Sequence, residues 1–493
     1  MPNNIPKGDS VAHPKNPHPT RRNFFQRMAG GLHGAALMGL LSQDVFATPP
    51  QANRTQGFDL TPKQPHFEPK ATSVIQLFMN GGPSQVDLFD PKPALDRHHG
   101  ESVFQELAAN VSSPQSAGGL MRSPFRFARH GESGMEISNA MRHLPRHADE
   151  IAVIRSMYNT HPNHEPALYK IHSGRMLPGL PSVGAWVVYG LGSVSQNLPA
   201  YVVLDDPLGL PVNGVQSWQS GYLPPIYQGT RLRTYGDPLL HIRPEVERSE
   251  NVMQAERELL SALDRIHQQD RPRQLQLDAR IASYELAARM QLEATDALDI
   301  NQESQATRNL YGVGRQPTDS YARRCLMARR LVERGVRYVQ LFINAQIWDN
   351  HTNIERSLRS ACDRTDQPVA ALLTDLKQRG LLDNTLVVWG GEFGRLPISQ
   401  MRNGNANGAG RDHGPAGFSV WLAGGGIKGG TVYGNTDEIG YAAVENRVSI
   451  ADWHATILHQ LGLHHEQLFF EQNGLQNKLT ATFPARVVEE ILA

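Results

Sequence analysis

Four short stretches of this chain gather residues able to hold a divalent cation. Asp349-Asn350-His351 follows Trp348, Glu392 and Arg395 stand within Gly391-Glu392-Phe393-Gly394-Arg395, and Asp412-His413 follows Arg411. In the fourth, Asn80 opens a Gly81-Gly82-Pro83-Ser84 turn, with Asp87 and Asp90 close behind. Carboxylate oxygens and imidazole nitrogens together suit ions of the zinc or manganese type. Each stretch alone has a plainer reading. Asp349 and His351 could close a hydrogen-bonded turn, Glu392 could cap a helix with Arg395 as its ion pair, and His413 could be a satisfied loop histidine. What unites them is position, because each adjoins a segment that reads as a strand.

Residues 73–79, 151–154, 200–204, 336–343, 385–389 and 418–422 are short runs rich in β-branched, aromatic and aliphatic residues, which read as strands. Helical stretches lie between the later ones. One starts at Ser320 and stops at Gly335, one runs over about 353–379 to Gly380, and one covers 450–461. Strands alternating with helices predict an α/β fold, a doubly wound and mostly parallel sheet with helices on both faces. Ligands of such sheets bind beyond the carboxyl ends of the strands. Residues 245–300 are charge-rich and predict two helices divided at Pro272, either an inserted pair that shapes access to the site or ordinary surface helices of the main domain.

The chain has 493 residues, 48 basic and 48 acidic, so no basic excess points to nucleic acid. A hydrophobic share of 40% with 19% charged residues fits a folded globular protein. No long uncharged apolar run reaches transmembrane length. Two cysteines make no disulfide framework, and Cys325 and Cys362 read as buried free thiols. Near the start, Arg21-Arg22 precedes Asn23-Phe24-Phe25, a weakly apolar segment 28–41 and Val45-Phe46-Ala47. That order predicts a twin-arginine signal over 1–47 and export to the periplasm or cell surface. Residues 48–70, rich in Pro, Gln and Thr, predict an exposed linker, and 71–480 a single domain.

At Gly81–Ser84 running into Asp87-Leu88-Phe89-Asp90-Pro91-Lys92, at Trp348–His351, at Gly391–Arg395 and at Gly410–His413, the chain resembles an exported family. It is known as domain-of-unknown-function family 1501, within the alkaline phosphatase and sulfatase superfamily. The likeness spans roughly 71–465. The resemblance implies an alkaline phosphatase-like sheet and one or two divalent ions, zinc, manganese or calcium. It also implies hydrolysis of a phosphate or sulfate ester, with a small-molecule or glycan ester as substrate. The oligomeric state is left open.

The chain departs from the superfamily pattern in several places. Asn80 stands where the first strand usually ends in a metal-binding Asp. Glu392 falls on the Asp of an Asp-His pair, and Phe393 falls on its His. His351 is offset from the expected His place, which holds Asn353, whereas His413 fits the late His ligand. In His164-Glu165-Pro166, leading to Ser173-Gly174-Arg175, His164 occupies the place of a sulfatase's modified nucleophile. That argues against an ordinary formylglycine sulfatase.

The resemblance therefore implies one ion on Asp349, His351, Glu392 and His413, and a second on Asn80, Asp87 or His164. Arg395 is expected to meet an anionic group of the substrate. His164 is expected to act as nucleophile or general base, with metal ligation or a structural hydrogen bond as its alternative. Attack by water activated at the metal is the other route, and Thr160 and Ser84 are lesser nucleophiles. Asp452 reads as a helix cap rather than a ligand. The competing reading is a non-catalytic relative, a binding or surface-assembly protein. The replacements at Asn80 and Phe393 favour it; the retained acid and imidazole set favours the hydrolase.

Overall fold

The structure, a computed structural model, describes residues 60–102, 114–236, 249–271, 274–343, 346–402 and 405–493. The signal expected at 1–47 lies outside them. Among the described residues, no helix is long and apolar enough to cross a membrane.

β1 (Ser73–Phe78) is buried at all six residues. Its side chains alternate between two cores. Ile75 and Leu77 enter one, with Val339, Leu341, Val387 and Trp389. Val74 and Phe78 enter the other, with Tyr338, Phe342, Leu386 and Val388. A strand apolar on both faces belongs inside a parallel sheet covered on both sides. The other main-sheet strands are β2 (Ile151–Tyr158), β3 (Tyr201–Leu204), β4 (Thr230–Arg231), β5 (Tyr338–Phe342), β6 (Thr385–Gly390), β7 (Phe418–Ala423), β8 (Thr431–Tyr433) and β9 (Val448–Ser449). Their order is β8-β2-β7-β6-β1-β5-β3-β4, with β9 also on β2. Among the described residues, the pairings in this sheet are parallel except those of β7, which runs antiparallel to both β2 and β6.

Helices cover both faces, as the sequence predicts. α5 (Asp319–Glu333) and α6 (Ile354–Gln378) pack on the first core through residues such as Leu326 and Leu372. α1 (His164–Ser173), α2 (Val183–Leu191) and α7 (Ile450–Gln460) pack on the second through Ile171, Trp186 and Leu458. Their ends follow local chemistry. Asn353 caps α6 by accepting from the Arg356 amide, and Ser449 with Asp452 forms a capping box on α7. Asp452 is thus the cap that the sequence suggests. Cys325 and Cys362 are both buried and free.

The second core also encloses polar groups. The Tyr338 hydroxyl donates to Gln76 at 2.9 Å, and the Tyr201 hydroxyl donates to Gln340 at 2.5 Å. A one-residue slip of β1 would carry the Gln76 amide among aliphatic side chains of the first core, where an unpaired amide costs roughly 1–3 kcal/mol. The buried glutamines therefore help to set the strand register.

Three boundary expectations change. Residues 60–70 are not a free linker, since the Lys63 amide donates to Leu191 O at 2.9 Å and the Lys70 amide to Gln460 O at 2.9 Å. The docked backbone gains bonds that a dangling linker would leave to water. The domain also runs past 480. Val488 and Ile491 are buried in the second core, and the Arg486 amide donates to Asp452. The helical pair is present as α3 (Glu250–Gln269) and α4 (Leu275–Leu298). However, Met290, Ala297 and Leu298 join the first core, and Arg330 donates to Ala297 O at 2.9 Å. Arg330 lies in the last turn of α5, just before β5 begins. This contact is therefore at the amino-terminal edge of the sheet, opposite the site, and gives no support to a role in site access.

Candidate metal centre

The carboxyl edge of the sheet assembles the site. Beyond β1, Gly81 takes φ +110°, and a Cβ there would stand 2.5 Å from the Asp349 amide nitrogen. Only glycine lets the 346–349 loop, which follows β5, lie against the end of β1. Glu392 follows β6 by two residues. His413 precedes β7, and because β7 is antiparallel, its beginning falls at the same edge as the ends of β1, β5 and β6. A short antiparallel pairing then sets Arg395 opposite His413. His164 is the first residue of α1, which follows β2.

Four side chains converge. Ligand atoms of His164, Asp349, His351 and His413 all lie within 4.8 Å of one another. His351 Nε2 is 2.8 Å from Asp349 Oδ1 and 2.9 Å from His413 Nε2. His413 Nε2 is 3.2 Å, and His164 Nε2 3.4 Å, from the same Asp349 oxygen. Ligands about 2.1 Å from a tetrahedral ion stand about 3.4 Å apart. The separations about Asp349 Oδ1 and His351 Nε2, 2.8 to 3.4 Å, reach that spacing from its short side.

The next layer sets which nitrogen faces inward. His164 Nδ1–H donates to Glu392 Oε1 at 2.6 Å, and His351 Nδ1–H donates to Gln400 Oε1. With Nδ1 carrying the proton, each Nε2 turns its lone pair to the cluster, as metal-ligating histidines do. Buried His164 Nε2 has no partner closer than Asp349 Oδ1, 3.4 Å away. The residues therefore fit a divalent ion held by three imidazoles and one carboxylate. Phe393 packs against both His164 and His413, at ring-centroid distances of 4.9 and 4.8 Å. It forms an apolar wall beside the two imidazoles.

Electrostatics follow from this crowding. Burial alone would lower the His164 pKa, but hydrogen bonds and charge from Asp349 and Glu392 raise it to about 9. Burial pushes His413 down to about 4, with the Arg395 and His164 cations adding to the effect and Asp349 opposing it. Asp349 is held far below the usual carboxylate range. Burial opposes this, but hydrogen bonds from three histidines and the Arg395 charge prevail.

Several expected roles change. Glu392 is not in the four-residue group. Both its oxygens accept from the Gly81 amide, at 3.0 and 3.2 Å, and one also holds His164. Arg395 does not face a substrate. It is fully buried and donates to the carbonyls of Gly81, Gly82, Trp348 and Arg411 and to Asp349. Asp87 is withdrawn into a buried ion pair with Arg411, at 2.7 Å, and also accepts from Ser84. Asn80 donates to Ile343 O at 2.8 Å, while its Oδ1 is buried without a partner. His164, expected as nucleophile or base, stands among the ligand atoms, its stated alternative. Sequence reasoning missed Gln400, which no motif marks, and Asn159, whose amide donates to Glu392 O at 2.9 Å.

The fold and the four converging side chains define an α/β domain with a histidine-rich group at the carboxyl edge of its sheet that could hold a cation. The chain belongs to the family described as "Protein of unknown function (DUF1501)", whose model matches residues 71–492. A search of curated proteins found no match. Among solved structures it is similar to the phosphonate monoester hydrolase SpPMH from Silicibacter pomeroyi, at 10% identity and TM-score 0.34, covering 86% of this chain and 76% of that one. It is also similar to the lipoteichoic acid synthase LtaP from Listeria monocytogenes, at 9% identity and TM-score 0.33, covering 83% and 74%. The PsFucS1 sulfatase from Pseudoalteromonas sp. matches at 13% identity and TM-score 0.31, covering 80% and 68%.

Proposed function

We propose that this protein is an exported, metal-dependent hydrolase of a phosphate or sulfate ester. The observation that carries the reading is the convergence of three imidazoles and one carboxylate, two of the imidazoles oriented by Glu392 and Gln400. A nitrogen-rich set favours zinc, or manganese, over calcium, which prefers oxygen donors. The set fits one ion. Of the residues expected to hold a second, Asp87 is committed to Arg411 and His164 to the first group.

A divalent ion there supplies Lewis acidity, stabilising charge on the ester's non-bridging oxygens and activating water. The chain's own residues hold the geometry. Arg395 fixes the Asp349 carboxylate, and Glu392 and Gln400 keep His164 and His351 in one tautomer. The cluster opens to solvent on the His351 side, where 32% of the side chain is exposed against 11% for His413. Ser84 is fully buried and donates to Asp87, and Thr160 accepts from Lys170 at 2.9 Å. With both hydroxyls occupied, direct attack by water is the route favoured here.

The test is metal analysis of the purified protein, then a screen of aryl phosphate, phosphodiester and sulfate esters. One equivalent of metal is expected, falling sharply in Asp349→Ala and His413→Ala, together with cleavage of one ester class. Unchanged metal content in both variants defeats the site. Bound metal without cleavage of any ester favours the non-catalytic binding protein.

A further inference from the structure

We propose that Asn159 is a positioning residue of the histidine–carboxylate group, the joint that holds the segments of His164, Glu392 and His413 against one another. It is the first residue after β2 and is buried, with 3% of its surface exposed. Its side-chain amide donates to Glu392 O at 2.9 Å and, more distantly, to Ala167 O at 3.4 Å. Its backbone amide donates to Pro415 O at 2.8 Å. Each acceptor belongs to a different segment of the group. Glu392 carries the carboxylate that holds His164, Ala167 lies three residues beyond His164 on α1, and Pro415 stands two residues after His413.

The strand ladders stop short of these segments. The β2–β7 pairing ends at Met157 and Phe418, and the β6–β7 pairing at Trp389 and Trp421. Beyond them, the short Arg395–His413 pairing joins two of the segments to each other. Asn159 adds α1, and with it His164, to both. Its amide can face only one way. Oδ1 accepts from the Thr160 amide at 2.8 Å, which turns the NH2 group and its two donors to the two carbonyls. An aspartate of the same size would set an oxygen against both carbonyls, and an alanine would leave both without this donor. Metal affinity depends on how firmly such outer partners hold the ligands.

The test compares Asn159→Ala and the isosteric Asn159→Asp with Gln460→Ala. Gln460 is also buried, and its amide donates to a backbone carbonyl, Gly425 O at 2.7 Å, at the opposite edge of the sheet. Loss of stability in all three would therefore not mark a positioning role. Two other measurements do, and only the first rests on the metal reading of the proposed function. Zinc affinity, read by competition with a chromophoric chelator, should fall about 10–100-fold in both Asn159 variants and stay unchanged in Gln460→Ala. In the metal-free protein, carrying nitrogen-labelled histidine, the His164 Nδ1–H signal should exchange with water about fivefold faster in both Asn159 variants, the worth of one hydrogen bond. It should not change in Gln460→Ala. If Asn159→Ala does not fold, Asn159→Asp carries both measurements. Unchanged exchange in the Asn159 variants, an equal change in Gln460→Ala, or unchanged zinc affinity where the wild type binds zinc overturns the proposal. If the wild type takes up no zinc, the hydrolase reading fails, and the imidazole exchange still decides the role of Asn159.

Discussion

His164 and His172 lie on one helix, eight residues and about 12 Å apart, yet they inhabit opposite worlds. His164 is at the rim, its Nδ1–H held by a carboxylate and its Nε2 turned to three other donors. His172 is enclosed in the second core, where its Nδ1 meets the Gln340 amide at 3.3 Å. Nearby His454 reaches Ile171 O at 2.8 Å. Burial, with repulsion between the two, lowers the pKa of His172 to about 3, and burial lowers that of His454 to about 4. The same side chain is thus drawn toward its charged form where carboxylates surround it and is a neutral hydrogen-bonding wedge where they do not. What differs is the charge of the neighbours, not the residue type or the degree of burial alone.

The largest effect should come from Arg395→Met. It would strip the buried partner from Asp349 and leave four backbone carbonyls short of a donor. A loss of about 3–5 kcal/mol of stability is expected, as for breaking other buried ion pairs, read by urea unfolding. A loss under about 1 kcal/mol would mean that Arg395 is not the keystone of the rim. A smaller effect separates the regions directly. Gln400→Ala should weaken metal binding about 10–100-fold by freeing His351, while His454→Gln should leave metal content unchanged. If His454→Gln also lowers metal uptake, the two histidine groups are coupled.

The smallest effects are in pH dependence, where the two regions have opposite signs. His172 and His454 stay neutral when folded but take up protons below about pH 6.5 when unfolded. The unfolded state therefore binds more protons as pH falls, and each histidine removes up to about 1.4 kcal/mol per pH unit, until about pH 4 for His454 and about pH 3 for His172. In the metal-free protein His164, raised to about 9, contributes stability that is full below pH 6.5 and lost as pH rises through 9. Unfolding curves against pH should therefore lose part of their acid slope in His454→Gln and their alkaline slope in His164→Gln. The same slopes in wild type and both variants would erase the contrast.

Much of this arrangement was legible from residues in order. β-branched runs between capped helices indicated a doubly wound sheet, because both faces of each strand are apolar. Polar groups at successive strand ends indicated one edge, because parallel strands share a direction. The roles of Asp87, Glu392 and Arg395 were not legible. Each is a charged residue beside a strand end, as a ligand must be, but each finds a closer partner: Arg411, the Gly81 amide with His164, and a ring of carbonyls.

Sequence by itself determined which chemistry could gather at the edge of this sheet, since spacing along a strand fixes where its end falls. Only the tertiary structure decided which side chains converge there. That depends on competition among hydrogen bonds between residues as much as 324 positions apart, such as Asp87 and Arg411. It also depends on the reversed direction of β7, which brings His413 to the edge where the others wait.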